Sequence, residues 1–419
     1  MKKEVVMKKV LFSMLVVVFV LSLPLSSPVQ ADVKEYRVPA FADFSGPYAD
    51  LMKWTVPARD AIIKWWNDAD GKKLDLKLTP KNYDARYDAT VVASMWPGIL
   101  AELKPILLFG LGGPDVAALQ QRLPKDKVPA IYSTPAYGFG WLPNQWLFHP
   151  RATYVHEWVG ALVWLINQHP EKRPFKLAFL STQASPAFID FINGVNLYYK
   201  NVLEPKGLAK IVATEWIELQ PVDISSQMKK IVDGKADVII GTGTTSMAAA
   251  AIRAEQLHGV SIPTIASPHH TIWPLAVAMK SFKPWEGHYV VAGHISVTEK
   301  DSKAYEFYKI LQSRYGLKED WNPINMMALT QTMLALRAVE HAAKKVGSAN
   351  LTGQAVYDAL STGTFTEEEL MGMLPTLRFT KDAPFPTIDL KVKIETVKDG
   401  KYQLATPGWV PVPPDITKW

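Results

Sequence analysis

Short runs of apolar and β-branched residues, each followed by a stretch with helical spacing, constrain this chain more than any single motif does. "PILLFG" (105–110), "VPAIYS" (128–133), "FKLAFLS" (175–181), "AKIVATEWI" (209–217), "ADVIIG" (236–241) and "IPTIAS" (262–267) read as strands. Helical patterns lie between most of them, at 115–122, 151–168, 187–204, 224–233 and 245–258. Parallel neighbours need a crossover connection, usually a helix, and strands buried on both faces lose the apolar–polar alternation. The order therefore predicts an α/β chain with parallel sheets covered on both faces. The series opens with a strand in "EYRVPAFADF" (35–44) and a helix carrying Leu51, Trp54, Ala58, Ile62 and Trp65 at spacings of three and four. "LDLKLTP" (74–80) reads as the next strand and 88–103 as a helix that Pro97-Gly98 is expected to kink or split.

The rhythm changes twice. Near "FHPRATYVHEW" (148–158) a proline ends one block and a helix opens the next, which puts a lobe boundary near 150. After "GHYVVAGHIS" (287–296) the alternation stops and two helices follow, about 302–315 and 323–346. Asn322 is placed to cap the second, with Pro323 at its first position. The tail has a strand-like segment, "DLKVKIETV" (389–397), a Lys-Asp-Gly turn and a Pro-rich end. The domains expected are residues 32–150 plus about 296–370 as one lobe, and 151–295 plus about 371–419 as the other.

Residues 1–31 read as a signal peptide. Lys2, Lys3, Lys8 and Lys9 precede the apolar run Val10 to Leu23, and Val29 and Ala31 fit a signal-peptidase site before Asp32. That run falls short of the roughly 18–20 residues that span a bilayer. Removing it takes the formal net charge from +6 to +3. No Lys/Arg block remains to track a phosphate backbone, so nucleic acid is not an expected partner. The chain has no Cys, hence neither a lipid-attachment cysteine nor a disulfide framework. A periplasmic monomer follows, with about 390 residues, too many for one core.

Several segments then resemble the periplasmic branched-chain amino-acid-binding proteins, the type I solute receptors of ABC transporters. They are "DFSGPYA" (43–49), "KNYDARYDATVVAS" (81–94), "LLFGLGGPDVAAL" (107–119), "KVPAIYSTPA" (127–136) and "TIWPLAVAMKSFKPWEGHYVVAGH" (271–294), in the family's order along the chain. The resemblance implies the type I periplasmic binding protein fold, with two doubly wound parallel-sheet lobes joined by hinge crossovers. It also implies a small-molecule ligand between them and ABC permease subunits as membrane partners. Relatives that bind amino acids place a small hydroxyl residue in the third-strand loop for the ligand carboxylate, and an acidic residue after the strand corresponding to 262–267 for the ammonium group. This chain has Gly112, Gly113, Pro114 and Asp115 in the first place and His269 and His270 in the second. An imidazole is a poor ammonium partner but can donate to a carboxylate. The ligand expected is amino-acid-like or a small hydrophobic or aromatic organic acid.

Ligands of open α/β sheets bind beyond the C-terminal strand ends, which selects the candidate residues. Ser45 is expected to cap the first helix or face ligand, with Tyr48 as an aromatic wall beside it. Gly113, Asp115 and Tyr137 complete the first lobe's set; Ser185, Thr244, His269, His270 and Trp273 form the second's. Phe139, Trp141 and Trp146 accompany Tyr137 on a loop broken by Gly and Pro, and Trp321 and Asn325 are lesser candidates. Neither H-E-x-x-H nor G-x-S-x-G occurs, and "GTGTTSMAAAAIRA" (241–254) lacks the third glycine of a dinucleotide turn. No catalytic residue, metal or cofactor is expected. A sensor with the same fold, or a secreted hydrolase, are the alternative readings.

Overall fold

The computed structural model describes residues 33–132, 145–241, 243–267 and 272–418. The expected signal segment lies outside them. Among the described residues no helix is long and apolar enough to cross a membrane.

Two principal sheets organise the described chain. The first runs in the order β2 (Leu76–Asp84), β1 (Lys34–Ala42), β3 (Leu108–Gly110), β4 (Ala130–Tyr132), β5 (Leu147–Phe148), all parallel. The second has a parallel core in the order β7 (Ala209–Trp216), β6 (Phe175–Ser181), β8 (Val238–Gly241), β9 (Thr264–Ala266), β10 (Tyr289–Ala292). After a short hairpin of β11 (Thr364–Phe365) and β12 (Leu377–Arg378), the chain returns to this sheet. There β13 (Lys391–Lys398) lies antiparallel against β10, and both β14 (Lys401–Leu404) and β15 (Val410–Pro411) lie antiparallel against β13. The Lys-Asp-Gly turn expected in the tail makes the β13–β14 hairpin, a two-residue turn at Asp399-Gly400 folding the strand back on itself.

Helices cover both faces of each sheet. On the first, Val38, Ala40, Phe109 and Ile131 pack with residues of α1 (Met52–Trp66), such as Ala58 and Ile62, and with Met333 and Leu336 of the long α11 (Pro323–Val346). The opposite face presents Leu108, Ala130 and Tyr132 to Val92 and Trp96 of α2 (Ala89–Leu103) and Val116 of α3 (Gly113–Leu119). Along β6 the period of two is plain: Leu177 and Phe179 join Trp158 of α5 (Tyr154–Gln168) and Phe191 of α6 (Pro186–Tyr198), whereas Ala178 and Leu180 join Met228 of α7 (Ser225–Asp233) and Met247 of α8 (Thr245–His258). The short α4 (Leu123–Asp126) leads into β4. Three further helices are α9 (Ile272–Met279), α10 (Lys303–Tyr315) and α12 (Gly353–Ser361).

Local chemistry explains the helix ends and one exception. Asn322 accepts from the backbone N–H of Ile324 and Asn325 at 2.9 Å each, and Pro323 follows at the first helical position, as its sequence implies. Asp88 caps α2 through Thr90 and Val91. Pro97-Gly98 does not split this helix, which continues to Leu103. Proline leaves the carbonyl of Ala93 without its intrahelical donor. The guanidinium of Arg122 supplies one at 3.2 Å.

The chain passes between the sheets after Phe148, after Ala292 and before Lys391. These crossings are bonded to one another. Arg151 and Glu157, side chains 1% and 0% exposed, form an ion pair at 2.7 Å, and the same carboxylate oxygen accepts the N–H of Gly293 at 3.0 Å. His149 donates its backbone N–H to Pro384 at 3.0 Å, Ser296 bonds Glu395, and Lys393 reaches Glu299 at 2.7 Å. Gly293 is required here, since a Cβ would stand 2.7 Å from Cβ of Arg151. Replacing one partner leaves the other charge buried alone, so Arg151→Met is expected to cost roughly 3–5 kcal/mol in a denaturant titration. The double variant Arg151→Met/Glu157→Met is expected to be more stable than Arg151→Met alone; a double variant no better than the single would show that the pair's charges are not the source of the loss.

Candidate functional site

Each sheet ends in loops on its C-terminal edge, and the two sets of loops meet. β1 ends at Ala42, and Asp43 follows, fully buried. Its carboxylate accepts the backbone N–H of Tyr48 at 2.8 Å and so closes the turn that Ser45 was expected to cap. Ser45 is exposed and donates to Asp84 at 2.7 Å. Gly46 lets this turn close, because a Cβ there would lie 2.3 Å from Asp43 Oδ1. That oxygen has no hydrogen-bond partner, and burial raises the Asp43 carboxyl above its usual range, with the N–H groups of Tyr48 and Gly46 pulling the other way.

After β2 the backbone enters the left-handed region at two successive non-glycine residues, Arg86 (φ 52°) and Tyr87 (φ 51°). Such conformations persist only where the surroundings fix them. Here the Tyr87 ring packs edge-on against Tyr48 with centroids 4.7 Å apart, and its hydroxyl lies 3.1 Å from Ser185 Oγ. Burial pushes the Tyr87 hydroxyl up to about 12. After β3, Gly113 opens α3 and Asp115 turns back to accept the N–H groups of Leu111 at 2.6 Å and Gly112 at 3.1 Å. Asp115 is 0% exposed, its Oδ1 lacks a partner, and burial lifts its carboxyl to about 7 despite those two N–H groups. Tyr132, the last residue of β4, is also buried with an unpartnered hydroxyl, and Gly110 makes room for its ring.

The second sheet answers with Ser185 at the start of α6 and Thr244 at the start of α8. Ser185 makes no capping bond; its hydroxyl belongs to the contact with Tyr87. A Thr was expected to cap this helix, and Thr244 or Thr245 to present a hydroxyl to the cleft. Thr244 Oγ1 donates to the carbonyl of Leu219 at 2.6 Å and accepts from Met247 N at 3.1 Å, so both its roles are used internally. The next residue, Thr245, is the one that reaches the first sheet's loops, donating to Asp50 at 2.9 Å. Tyr48 makes a long contact, 3.4 Å, to the carbonyl of Gly243.

The structure thus brings Tyr48, Asp115 and Ser185 into one buried neighbourhood and adds Asp43, Tyr87 and Tyr132, which the sequence reading missed. Tyr87 lies within the 81–94 segment that carries the family resemblance. Trp273 lies half-buried on α9, its ring 5.4 Å from Phe282 and 5.5 Å from Tyr402. Trp146 is a core residue stacked on Tyr357 at 4.0 Å. Trp321 and Asn325 are committed to the start of α11: Trp321 packs on Tyr305 and Tyr308, and Asn325 bonds Tyr308, Asp320 and Asn322. Tyr137, Phe139, Trp141, His269 and His270 lie outside the described residues. Among the described residues no cluster of three or more His, Asp or Glu is placed to hold a metal.

Comparison with known proteins agrees with this architecture. A solved branched-chain amino acid ABC transporter protein from Thermus thermophilus, with bound valine, superposes with a TM-score of 0.77 at 15% identity, over 91% of this chain and 97% of that one. A fatty acid ABC transporter substrate-binding protein from Thermomonospora curvata gives 0.74 at 16% identity, over 91% and 93%. A solute-binding protein from R. palustris in complex with 4-hydroxybenzoate gives 0.72 at 15%, over 91% and 99%. No match is found among curated proteins. The family model described as periplasmic binding protein matches residues 35–385. With that match across most of its length and two sheets arranged as in the type I fold, the chain belongs to the periplasmic binding protein family.

Proposed function

We propose that the protein is the extracytoplasmic substrate-binding component of an ABC importer and takes an amino-acid-like ligand between the two sets of strand-end loops. The observation that supports this most is the buried group of Asp43, Tyr48, Tyr87, Asp115 and Ser185, drawn from both sheets and holding two carboxyl oxygens without partners. No lysine or arginine bonds either carboxylate among the described residues. An ammonium group matches such surroundings better than a bare carboxylate does. The aromatic rings of Tyr48 and Tyr87 suit an apolar or aromatic ligand body. His269 and His270 would donate to the ligand's carboxylate, Gly113 would offer backbone at the start of α3, and Tyr137 and Trp273 would add walls.

In this reading the ligand binds one lobe first, and the lobes then rotate about the crossings until the second set of loops closes over it. The Tyr87–Ser185, Tyr48–Gly243 and Thr245–Asp50 contacts belong to the closed arrangement. Closure excludes water, and the closed form docks on the permease. Catalysis has no part in it.

Thermal-shift screening of protein purified through an unfolding step tests the ligand class. The panel holds branched-chain and aromatic amino acids, aromatic and aliphatic carboxylates, and short amides. A ligand at 100 times its Kd stabilises the native state by about 2.7 kcal/mol, a readable shift. Amino acids are expected to shift the protein more than carboxylates of the same side chain; the reverse order would remove the ammonium assignment.

The pH dependence separates the same two cases. An ammonium ligand needs Asp115 ionised, and burial holds its carboxyl at about 7. Affinity is therefore expected to be flat above that pH and to fall about tenfold per unit below it. A carboxylate ligand would instead bind more tightly as Asp115 takes up its proton. Calorimetric titration between pH 5 and 9 reads the sign, and Asp115→Asn is expected to abolish the slope.

A further inference from the structure

The second sheet carries a cavity whose lining includes Gly243 and Thr244 of its strand-end loops. It lies between α8 and the sheet. One side is a single face of α8: Thr244, Met247, Ala248, Ala251, Ile252 and Glu255. Their spacing of three and four keeps them in a row, and at 1.5 Å per residue the row is about 16 Å long. The sheet side carries Leu180, Ile239, Gly241, Thr264 and Ala266. The two alanines on the helix, Ala248 and Ala251, leave a slot where larger side chains would meet the sheet.

Apart from the hydroxyls of Thr244 and Thr264, the slot is apolar except at one end. There Glu255 and His288, 4% and 3% exposed, face each other with Oε2 and Nε2 3.9 Å apart. That gap is too wide for a hydrogen bond. His288 Nε2 has no partner, and Glu255 uses its other oxygen for a long contact from the N–H of Ile262 at 3.4 Å. One oxygen atom set between them would reach both at ordinary hydrogen-bond distance. Burial raises the Glu255 carboxyl to about 8 and lowers the His288 imidazole to about 4, so at neutral pH both are uncharged. A neutral acid and a neutral imidazole ask for a group that donates once and accepts once, whichever imidazole nitrogen holds the proton. A hydroxyl does both. A carboxylate cannot donate, and an ammonium cannot accept.

We propose that this slot is a second binding site, for a straight-chain aliphatic alcohol whose chain lies along α8 and whose hydroxyl bridges Glu255 and His288. Ala248, Ala251, Glu255 and His288 are not among the residues assigned to the strand-end loops, so the two sites can be tested separately.

Calorimetric titration of the full chain with 1-alkanols from butanol to decanol tests it. Kd is expected to fall about fourfold per added methylene until the slot is full and then to level off. Ala251→Phe, which fills the slot at mid-length, is expected to weaken 1-hexanol binding at least tenfold, and Ala248→Leu, nearer the helix start, gives a second obstruction should the first variant fail to fold. His288→Phe keeps the ring and removes the bridge, and is expected to reduce the preference for hexanol over hexylamine and hexanoate. Absence of saturable alkanol binding to the unaltered chain would overturn the proposal, as would binding untouched by both obstructing variants. Equal affinity for alcohol, amine and carboxylate of one chain length would overturn the hydroxyl assignment.

Discussion

The Arg151–Glu157 ion pair is the interaction on which the arrangement of the two sheets rests. Charges this deep are expensive to desolvate, and their attraction offsets that cost only with good geometry and further hydrogen bonds. Here the further bond comes from Gly293, on a different crossing between the sheets. The pair therefore does more than neutralise itself: it joins the segment leaving the first sheet to the segment leaving the second. Its carboxyl is raised to about 7 by burial, and the guanidinium and the Gly293 N–H act against that shift. A hydrophobic replacement would fill the same space without tying the two crossings to each other.

With the crossings fixed, the polarity of parallel strands decides where ligand chemistry can occur. β1, β3 and β4 of one sheet and β6 and β8 of the other deliver their loops to facing edges. Asp43, Tyr87 and Asp115 are close together because each lies within five residues of a strand end, although more than 70 residues separate the first from the last. The backbone strain at Arg86 and Tyr87 falls at the same edge. It turns the Tyr87 ring toward Tyr48 and carries its hydroxyl across to Ser185.

Much of this was legible in the sequence because it rests on short-range rules. The limits of α8 and the Asn322-Pro323 start of α11 follow from periodicity and capping alone. What escaped depends on residues distant in the chain. Pro97 looked like a helix breaker because nothing nearby reveals that Arg122 would serve the carbonyl of Ala93. Thr244 and Thr245 could not be told apart as the cleft hydroxyl because the carbonyl of Leu219, 25 residues before Thr244, is not adjacent until the second sheet is assembled. Ser45 and Asp43 both suit a cap, and the buried position of Asp43 decides between them. The antiparallel return of β13 was hidden because its apolar run reads the same in either direction.

That return has a bearing on how the protein is made. β10 acquires its second neighbour only from residues 391–398, and the first sheet receives the cover of α11 only from residues 323–346. A chain emerging from its N-terminus therefore cannot finish either half early, since both wait for the last quarter of the polypeptide. Contacts spanning such separations slow folding, because the entropy of closing long loops is lost before the contacts form. Late completion sets the two halves to mature together.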